Sequence, residues 1–303
     1  MTPLTPHRIK SITEIHRLLG FAKPHHPLIG LVDLAEVRSY TGVHSVLFEL
    51  YVVILKKGCN KLRYGQQAFD FDEGVLAFMA PGQILHGEEN GLPEQVEGWM
   101  LFIHPDFLWN TSLATKLKQY EYFEYATHEA LFLSDKEQTL IQGIVGTIRT
   151  EYEANLDSFS QNIIVSHLET LFNYAERFYQ RQFLTRKKSS HQVLDRLESL
   201  LSAYFSSEDL LANGLPTVHD IADRLNVSPS YLRGLLKSLT GQSTQQLIHE
   251  KLIERAKAEL TTTTLTVSEI AYKLGFEHLP SFSKLFKAKT KLSPVAFRQS
   301  FQS

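Results

Sequence analysis

At 303 residues the chain is long enough for two domains, and its 43% hydrophobic and 21% charged residues are the composition of a water-soluble globular protein. One cysteine, Cys59, excludes a disulfide framework and a multi-cysteine zinc site and fits a reducing compartment. The net charge of −2 hides an asymmetry: residues 1–185 carry 15 Lys and Arg against 22 Asp and Glu, whereas residues 186–303 carry 16 against 11, which suits a nucleic-acid-binding tail on an acidic body.

No apolar run is long enough for a membrane span, and residues 1–10 lack the apolar core of a signal peptide, so a cytoplasmic protein without a membrane partner is expected. Residues 7–21 predict a short amphipathic helix with Ile12, Ile15, Leu18 and Leu19 inward. His25 and His26, between Pro24 and Pro27, read as a solvated turn, since adjacent histidines point apart unless the backbone brings them together.

From about 43 to 104 the sequence predicts β-structure, with strands at 45–55, 61–64, 68–71, 75–79 and 96–103 separated by turn signals at 56–60, Gly65, 72–74, Pro81-Gly82 and 90–93. Short strands with frequent turns point to a sandwich or barrel. A barrel interior is the default ligand site, and Tyr51, Phe78, His86, Trp99 and Phe102 are its candidate lining residues. Ordinary core packing competes for each of them; Trp99, a large apolar face with one donor, is the strongest. His86 has no companion histidine in residues 51–64, and most transition-metal sites need three or four ligands. Metal catalysis is therefore disfavoured, and no cofactor is expected. Cys59, between Lys56, Lys57 and Lys61, reads as an incidental turn cysteine rather than a nucleophile.

Two amphipathic helices follow, at 135–149 with Ile141, Ile144, Val145 and Ile148 inward, and at 159–182 with Ile164, Leu168, Leu171, Ala175 and Phe178. They either cover the barrel or pair with the same helices of a second chain. Residues 186–190 read as a polar hinge. Val193, Leu194, Leu197, Leu200, Leu201 and Tyr204 then mark the first helix of a C-terminal domain.

That domain contains the same pattern twice. Ile221, Ala222 and Leu225 recur 49 positions later as Ile270, Ala271 and Leu274; after one inserted residue, Leu232, Leu235, Lys237, Thr240 and Ser243 recur at an offset of 50 as Phe282, Leu285, Lys287, Thr290 and Ser293. Each copy predicts a helix-turn-helix. Ser228-Pro229 is a start signal for the second helix of the first copy, and Asn226 and Gly275 stand where the chain reverses. The second helices carry cations and no acid: Arg233 and Lys237 in one, Lys284, Lys287 and Lys289 in the other, followed by Lys291. A helix fits the major groove of duplex DNA, and cations on it neutralise phosphates. A solvated charged face competes for one such unit; two in-phase copies favour DNA binding. A helix at about 243–260, with Leu247, Ile248, Leu252, Ile253, Ala256 and Leu260 on its buried side, joins the units.

These residues resemble the tandem helix-turn-helix domain of AraC/XylS-type bacterial transcription regulators. The resemblance spans residues 191–303 and rests on Asp220-Ile221-Ala222, Ser228-Pro229-Ser230-Tyr231-Leu232, Glu269-Ile270-Ala271, Leu274-Gly275-Phe276, Phe286-Lys287 and Ser293-Pro294-Val295-Ala296-Phe297-Arg298. A weaker likeness, in residues 74–78 and 80–86, is to the cupin barrel that many such regulators carry. The resemblance implies an α+β two-domain protein: a cupin-like ligand-binding domain at 1–133, a helical dimerisation segment at 134–185, a linker at 186–190 and an all-α DNA-binding domain at 191–303. It implies a non-enzymatic transcription regulator, working at bacterial promoter or operator DNA as a homodimer, controlled by a small-molecule effector and touching RNA polymerase. Carried over residue by residue, base reading falls to Ser230, Arg233 and Gly234 in the first unit and to Leu279, Pro280, Ser281, Ser283 and Lys284 in the second; Ser228, Lys237, Lys287 and Lys289 fall among the DNA-contacting positions, the lysines on phosphates. Gly234 offers no side chain, and Leu279-Pro280 are apolar where polar groups are common. A metal-dependent cupin enzyme with a DNA-binding tail and a ligand-free architectural DNA-binding protein are the alternatives.

Overall fold

A computed structural model of the chain describes residues 6–37, 45–57, 63–64, 67–68, 74–86, 97–126, 129–154, 157–185, 187–206, 210 and 214–301; for 63–64, 67–68, 86 and 187–190 only the backbone is described. The chain divides into two compact units, Met1–Gln182 and Phe183–Ser303.

The first unit is built on the apolar run after residue 44. The sequence predicts one strand there, and the structure makes two, β3 (Ser45–Phe48) and β4 (Tyr51–Lys57). The break has a hydrogen-bonding cause: Glu49 N donates to Ile9 O at 2.9 Å and Gly82 N to Phe48 O at 2.7 Å, so the chain leaves one sheet before it enters the next. β3 pairs with β1 (His7–Ile9) and β8 (Ile84–His86) in a three-stranded sheet. β4 is the centre of a five-stranded sheet in which β7 (Gly74–Met79), β9 (Glu97–Ile103), β2 (Ile29–Asp33) and β10 (Leu131–Leu133) lie in the order β10-β7-β4-β9-β2. β5 (Arg63–Tyr64) and β6 (Gln67–Ala68) form a separate two-stranded pair. Among the described residues no strand pairing closes these sheets into the predicted barrel. The predicted strands at 61–64 and 68–71 are described only in part, and Cys59 lies outside the described residues.

The five-stranded sheet has two buried faces because its strands alternate. Val32, Val52, Ile54, Met79, Met100 and Phe102 join a cluster with Val46 and Phe48 of the small sheet and Ile12, Ile15 and Leu19 of α1 (Ile12–Leu19). On the opposite face Phe78 meets Tyr122 at 4.5 Å, Phe123 at 5.3 Å and Phe172 at 6.3 Å between ring centroids. Past the short α2 (Ser112–Lys116) and the 3-10 turns that carry Tyr122 and Phe123 come α3 (Asp135–Glu153) and α4 (Ser160–Thr185), each longer than its apolar pattern predicts. At the start of α3 the Glu137 carboxylate accepts from Ser134 N at 2.9 Å and from its hydroxyl at 3.0 Å. Arg181 on α4 holds Glu137 at 2.7 Å and donates to Phe132 O at 2.9 Å.

In the second unit α5 (Lys187–Ser206) begins inside the stretch read as a hinge, so residues 187–190 are helical. Among the described residues there follow α6 (Val218–Leu225), α7 (Pro229–Thr240), α8 (Thr244–Thr262), α9 (Val267–Lys273), α10 (Leu279–Thr290) and α11 (Pro294–Gln299). One apolar cluster runs through them, from Leu197 and Leu201 through Ile221, Leu232 and Leu252 to Ile270, Phe282 and Phe286.

Candidate nucleic-acid interface

The repeated sequence folds into two repeated helix pairs, α6–α7 and α9–α10. Each first helix starts with a capping box, Thr217 with Asp220 and Thr266 with Glu269. The hydrogen bonds from Thr217 hold the Asp220 carboxyl below its usual range, and those from Thr266 do the same for Glu269. Each turn is closed by one bond at the same place: Val227 N to Ala222 O at 3.1 Å, and Phe276 N to Ala271 O at 3.0 Å. The residue before each donor has positive φ, 58° at Asn226 and 78° at Gly275, the conformation Asn and Gly tolerate best. Ala222 and Ala271 are fully buried, small enough for the crossing helix to pass close.

The second helices start differently. Ser228 caps α7, accepting from Tyr231 N at 3.1 Å, with Pro229 in the first turn. Its counterpart His278 makes no side-chain cap to α10, although Pro280 again occupies the first turn. The inserted residue therefore lies in the second turn, where the cap was lost.

At about 100° per residue, Leu232, Leu235 and Leu236 fall on the core side of α7 and are buried, while Arg233 and Lys237 stand exposed on the other. Gly234, on the same outer side, is half-buried. In α10, Phe282 and Phe286 are buried; Pro280, Ser281, Lys284 and Lys287 are exposed, and Ser283 is half-buried beside them. α8, 19 residues long, spans about 28 Å between the pairs. Its inward residues Ile248, Leu252, Ile253, Ala256 and Leu260 are all buried, with Leu247 packed beside them. Polar ties fix it to its neighbours. The buried carboxylate Glu259 pairs with Lys273 at 2.9 Å and Arg255 at 3.0 Å, and Arg298 Nε donates to Leu260 O at 3.1 Å.

Three of the positions carried over for DNA contact are also covered or paired within the protein. Ser230 shares the outer face of α7 with Arg233, yet it is only 4% exposed; the adjacent Tyr231 is covered edge-on by Phe183 at 5.2 Å. Leu279 packs against the apolar cluster. Lys289 is exposed and pairs with Glu250 of α8 at 3.3 Å. The offset of 50 makes it the counterpart of Leu239, a half-buried residue of α7. Glu250 was not singled out in the sequence; the signal that points to it is that offset, which puts a lysine where the first unit has a leucine.

The five residues read as lining a ligand site do not converge. Val53 is paired with both Phe78 and Leu101, and Leu55 with Trp99, so Phe78 and Trp99 share the helix-covered face. Tyr51 joins them there, edge-on to Phe123 at 5.4 Å. Phe102 is in the cluster on the other face, and His86 lies in the small sheet, paired with Ser45. The physical reason is register: Trp99 and Phe102 are three apart on one strand, an odd separation that sends them to opposite faces. Among the described residues no three His, Cys, Asp or Glu side chains are grouped as metal ligands, and no helix is long and apolar enough to cross a membrane.

A family profile described as a helix-turn-helix domain matches residues 221–300. The raffinose operon transcriptional regulatory protein RafR of Pediococcus pentosaceus is 37% identical over 84 residues, covering 28% of this chain and 30% of that protein. The arabinose operon regulatory protein of Escherichia coli (strain K12) is 29% identical over 126 residues, 42% of each. The C-terminal domain of AraT, a response regulator from Geobacillus stearothermophilus, is 30% identical with a TM-score of 0.32, over 36% of this chain and 84% of that one. The chain thus spans less than half the length of the curated relatives it matches.

Proposed function

We propose, from the premise that the C-terminal unit is an AraC-type helix-turn-helix domain of the AraC/XylS family, that the whole chain is a sequence-specific regulator of transcription. The observation that carries it is the pair of equivalent helices, α7 and α10, with exposed cations on both and α8 between them. The length of α8 approaches the roughly 34 Å turn of B-DNA, so both helices can address successive major-groove segments of one duplex. Arg233 reads a base edge, the guanidinium being suited to a guanine. Gly234 lets the backbone of α7 approach closely. Pro280, Ser281, Ser283 and Lys284 face the second groove segment, and Lys237 and Lys287 hold phosphates, which fixes register without reading sequence.

The first unit serves as the control module. The resemblance to AraC-type regulators supports a small-molecule effector bound within residues 1–133, a homodimer through 134–185 and contact with RNA polymerase. The names of the relatives, regulators of raffinose and arabinose operons, favour a metabolite as effector. Binding-site selection with the purified chain tests the core of this reading. Arg233→Ala is expected to lose about 1–3 kcal/mol at one base position and to relax preference there. Lys287→Ala is expected to weaken all sequences alike. Unchanged base preference in Arg233→Ala together with unchanged affinity in Lys287→Ala would refute the assignment.

A further inference from the structure

We propose that Glu250 is a positioning residue that sets the spacing of the two DNA-reading helices by holding the C-terminal ends of α7 and α10 to one carboxylate on α8. The inference rests on the DNA-binding reading and goes beyond it by naming what fixes the geometry of that site. Gln242, the residue after the α7 C-cap Gly241, donates from Nε2 to both Glu250 oxygens, at 3.0 and 2.9 Å. Lys289, in the last turn of α10, reaches the same carboxylate at 3.3 Å. One side chain thus touches the end of each reading helix.

The arrangement answers a local problem. Lys289 stands at the helical position of α10 that the half-buried Leu239 holds in α7; it is exposed there and reaches Glu250. Gln242, then Lys289, hold the Glu250 carboxyl below its usual range, while burial and Lys289 hold the neighbouring His249 below its own. The anion facing Lys289 is therefore ionised throughout the neutral range. The pairing also holds the exposed Lys289 away from the phosphates that Lys284 and Lys287 approach. Glu250 and Lys289 side chains are 41% and 32% exposed, so the tie is a modest one laid over the apolar core, acting on geometry more than on stability.

The test uses the full chain and duplexes carrying both half-elements of its selected site, at native spacing and with one base pair inserted or removed between them. Glu250→Ala is expected to lower the preference for native spacing by up to about fivefold, the ceiling for an exposed ion pair. It should also steepen the slope of log K against log salt by about one, as Lys289 becomes available to a phosphate. Glu250→Gln, which can still accept from Gln242, should show the same slope change with a smaller loss of spacing preference. A Glu250→Ala protein that melts earlier but keeps the native spacing preference and slope would overturn the proposal. Thermal melts of Glu250→Ala, Lys289→Ala and the double variant separate the two levels. If the wild-type chain binds no duplex DNA while the cycle shows coupling, the DNA-binding reading fails and the pairing stands. If the chain binds DNA and the cycle shows no coupling, the positioning role fails alone.

Discussion

His16 illustrates what one buried polar atom does to a domain. It is 7% exposed on α1; Nδ1 lies 2.7 Å from Ala22 O, and Nε2 is buried without a partner. Burial and, secondarily, His25 hold its pKa below the ordinary histidine value of 6.5, against the opposing pull of the Ala22 hydrogen bond. The neutral form is thus the one that fits: Nδ1 donates to Ala22 O and Nε2 carries no proton. The folded-state pKa being lower, stability is complete above about 6.5 and declines as the pH falls from there toward the folded value. Melting curves from pH 7.5 to 5 should show the wild type losing stability on acidification, and His16→Leu losing less of it, from a start lowered by about 1 kcal/mol for the missing hydrogen bond. Parallel pH profiles for the two proteins would refute the assignment. A second residue-scale test concerns Gly275. Its φ is 78°, and an added Cβ would lie 3.2 Å from Gly214 C and 3.3 Å from Leu210 O. Gly275→Ala should cost roughly 1–3 kcal/mol in urea unfolding, whereas Asn226→Gly, at the equivalent position with φ 58°, should change stability by only a few tenths.

At the scale of elements, the two helix pairs differ most at the start of their second helices. Ser228 satisfies Tyr231 N, and His278 satisfies nothing from its side chain. Ser228→Ala should cost about 1 kcal/mol, and His278→Ser should add stability of about 0.5–1 kcal/mol by giving α10 the cap that α7 has; no gain in melting temperature would mean that the inserted residue has tilted the turn out of capping geometry. The paired helices were legible in the sequence because the periodicity, the caps and the turn residues all recur at one offset, so local signals agreed with each other and with the packing. The same offset also pairs Lys289 with Leu239, the signal that Lys289 differs in setting from Lys284 and Lys287. Two features were not legible. The edge-on contact of Phe183 with Tyr231 joins residues 48 positions apart in sequence, and no local pattern encodes that contact. The scatter of the five ligand-site candidates follows from which strand each occupies and in what register, information that composition does not carry and that only the hydrogen-bonded pairing fixes.

At the scale of the whole molecule, the question is where the DNA-binding part begins. Composition and the resemblance start it at His191, after a polar stretch. The packing starts it at Phe183, before that stretch, and α5 is already helical from Lys187. Phe183 is 2% exposed and stands edge-on to Tyr231 in the first turn of α7, so a fragment cut at 191 loses an aromatic contact on a helix that must be held in place. An edge-to-face pair contributes about 0.5–1.5 kcal/mol beyond its buried area. Fragments 183–303 and 191–303 are therefore expected to differ in stability by at least about 1 kcal/mol, the longer being the more stable. The longer fragment should bind the selected duplex with a slope of log K against log salt of about −2, as expected when Lys237 and Lys287 each neutralise one phosphate. Equal stability of the two fragments would place the boundary where the composition puts it. A slope near zero with binding intact would mean that these two lysines do not face the phosphates, and α7 and α10 would then have to meet DNA through another surface.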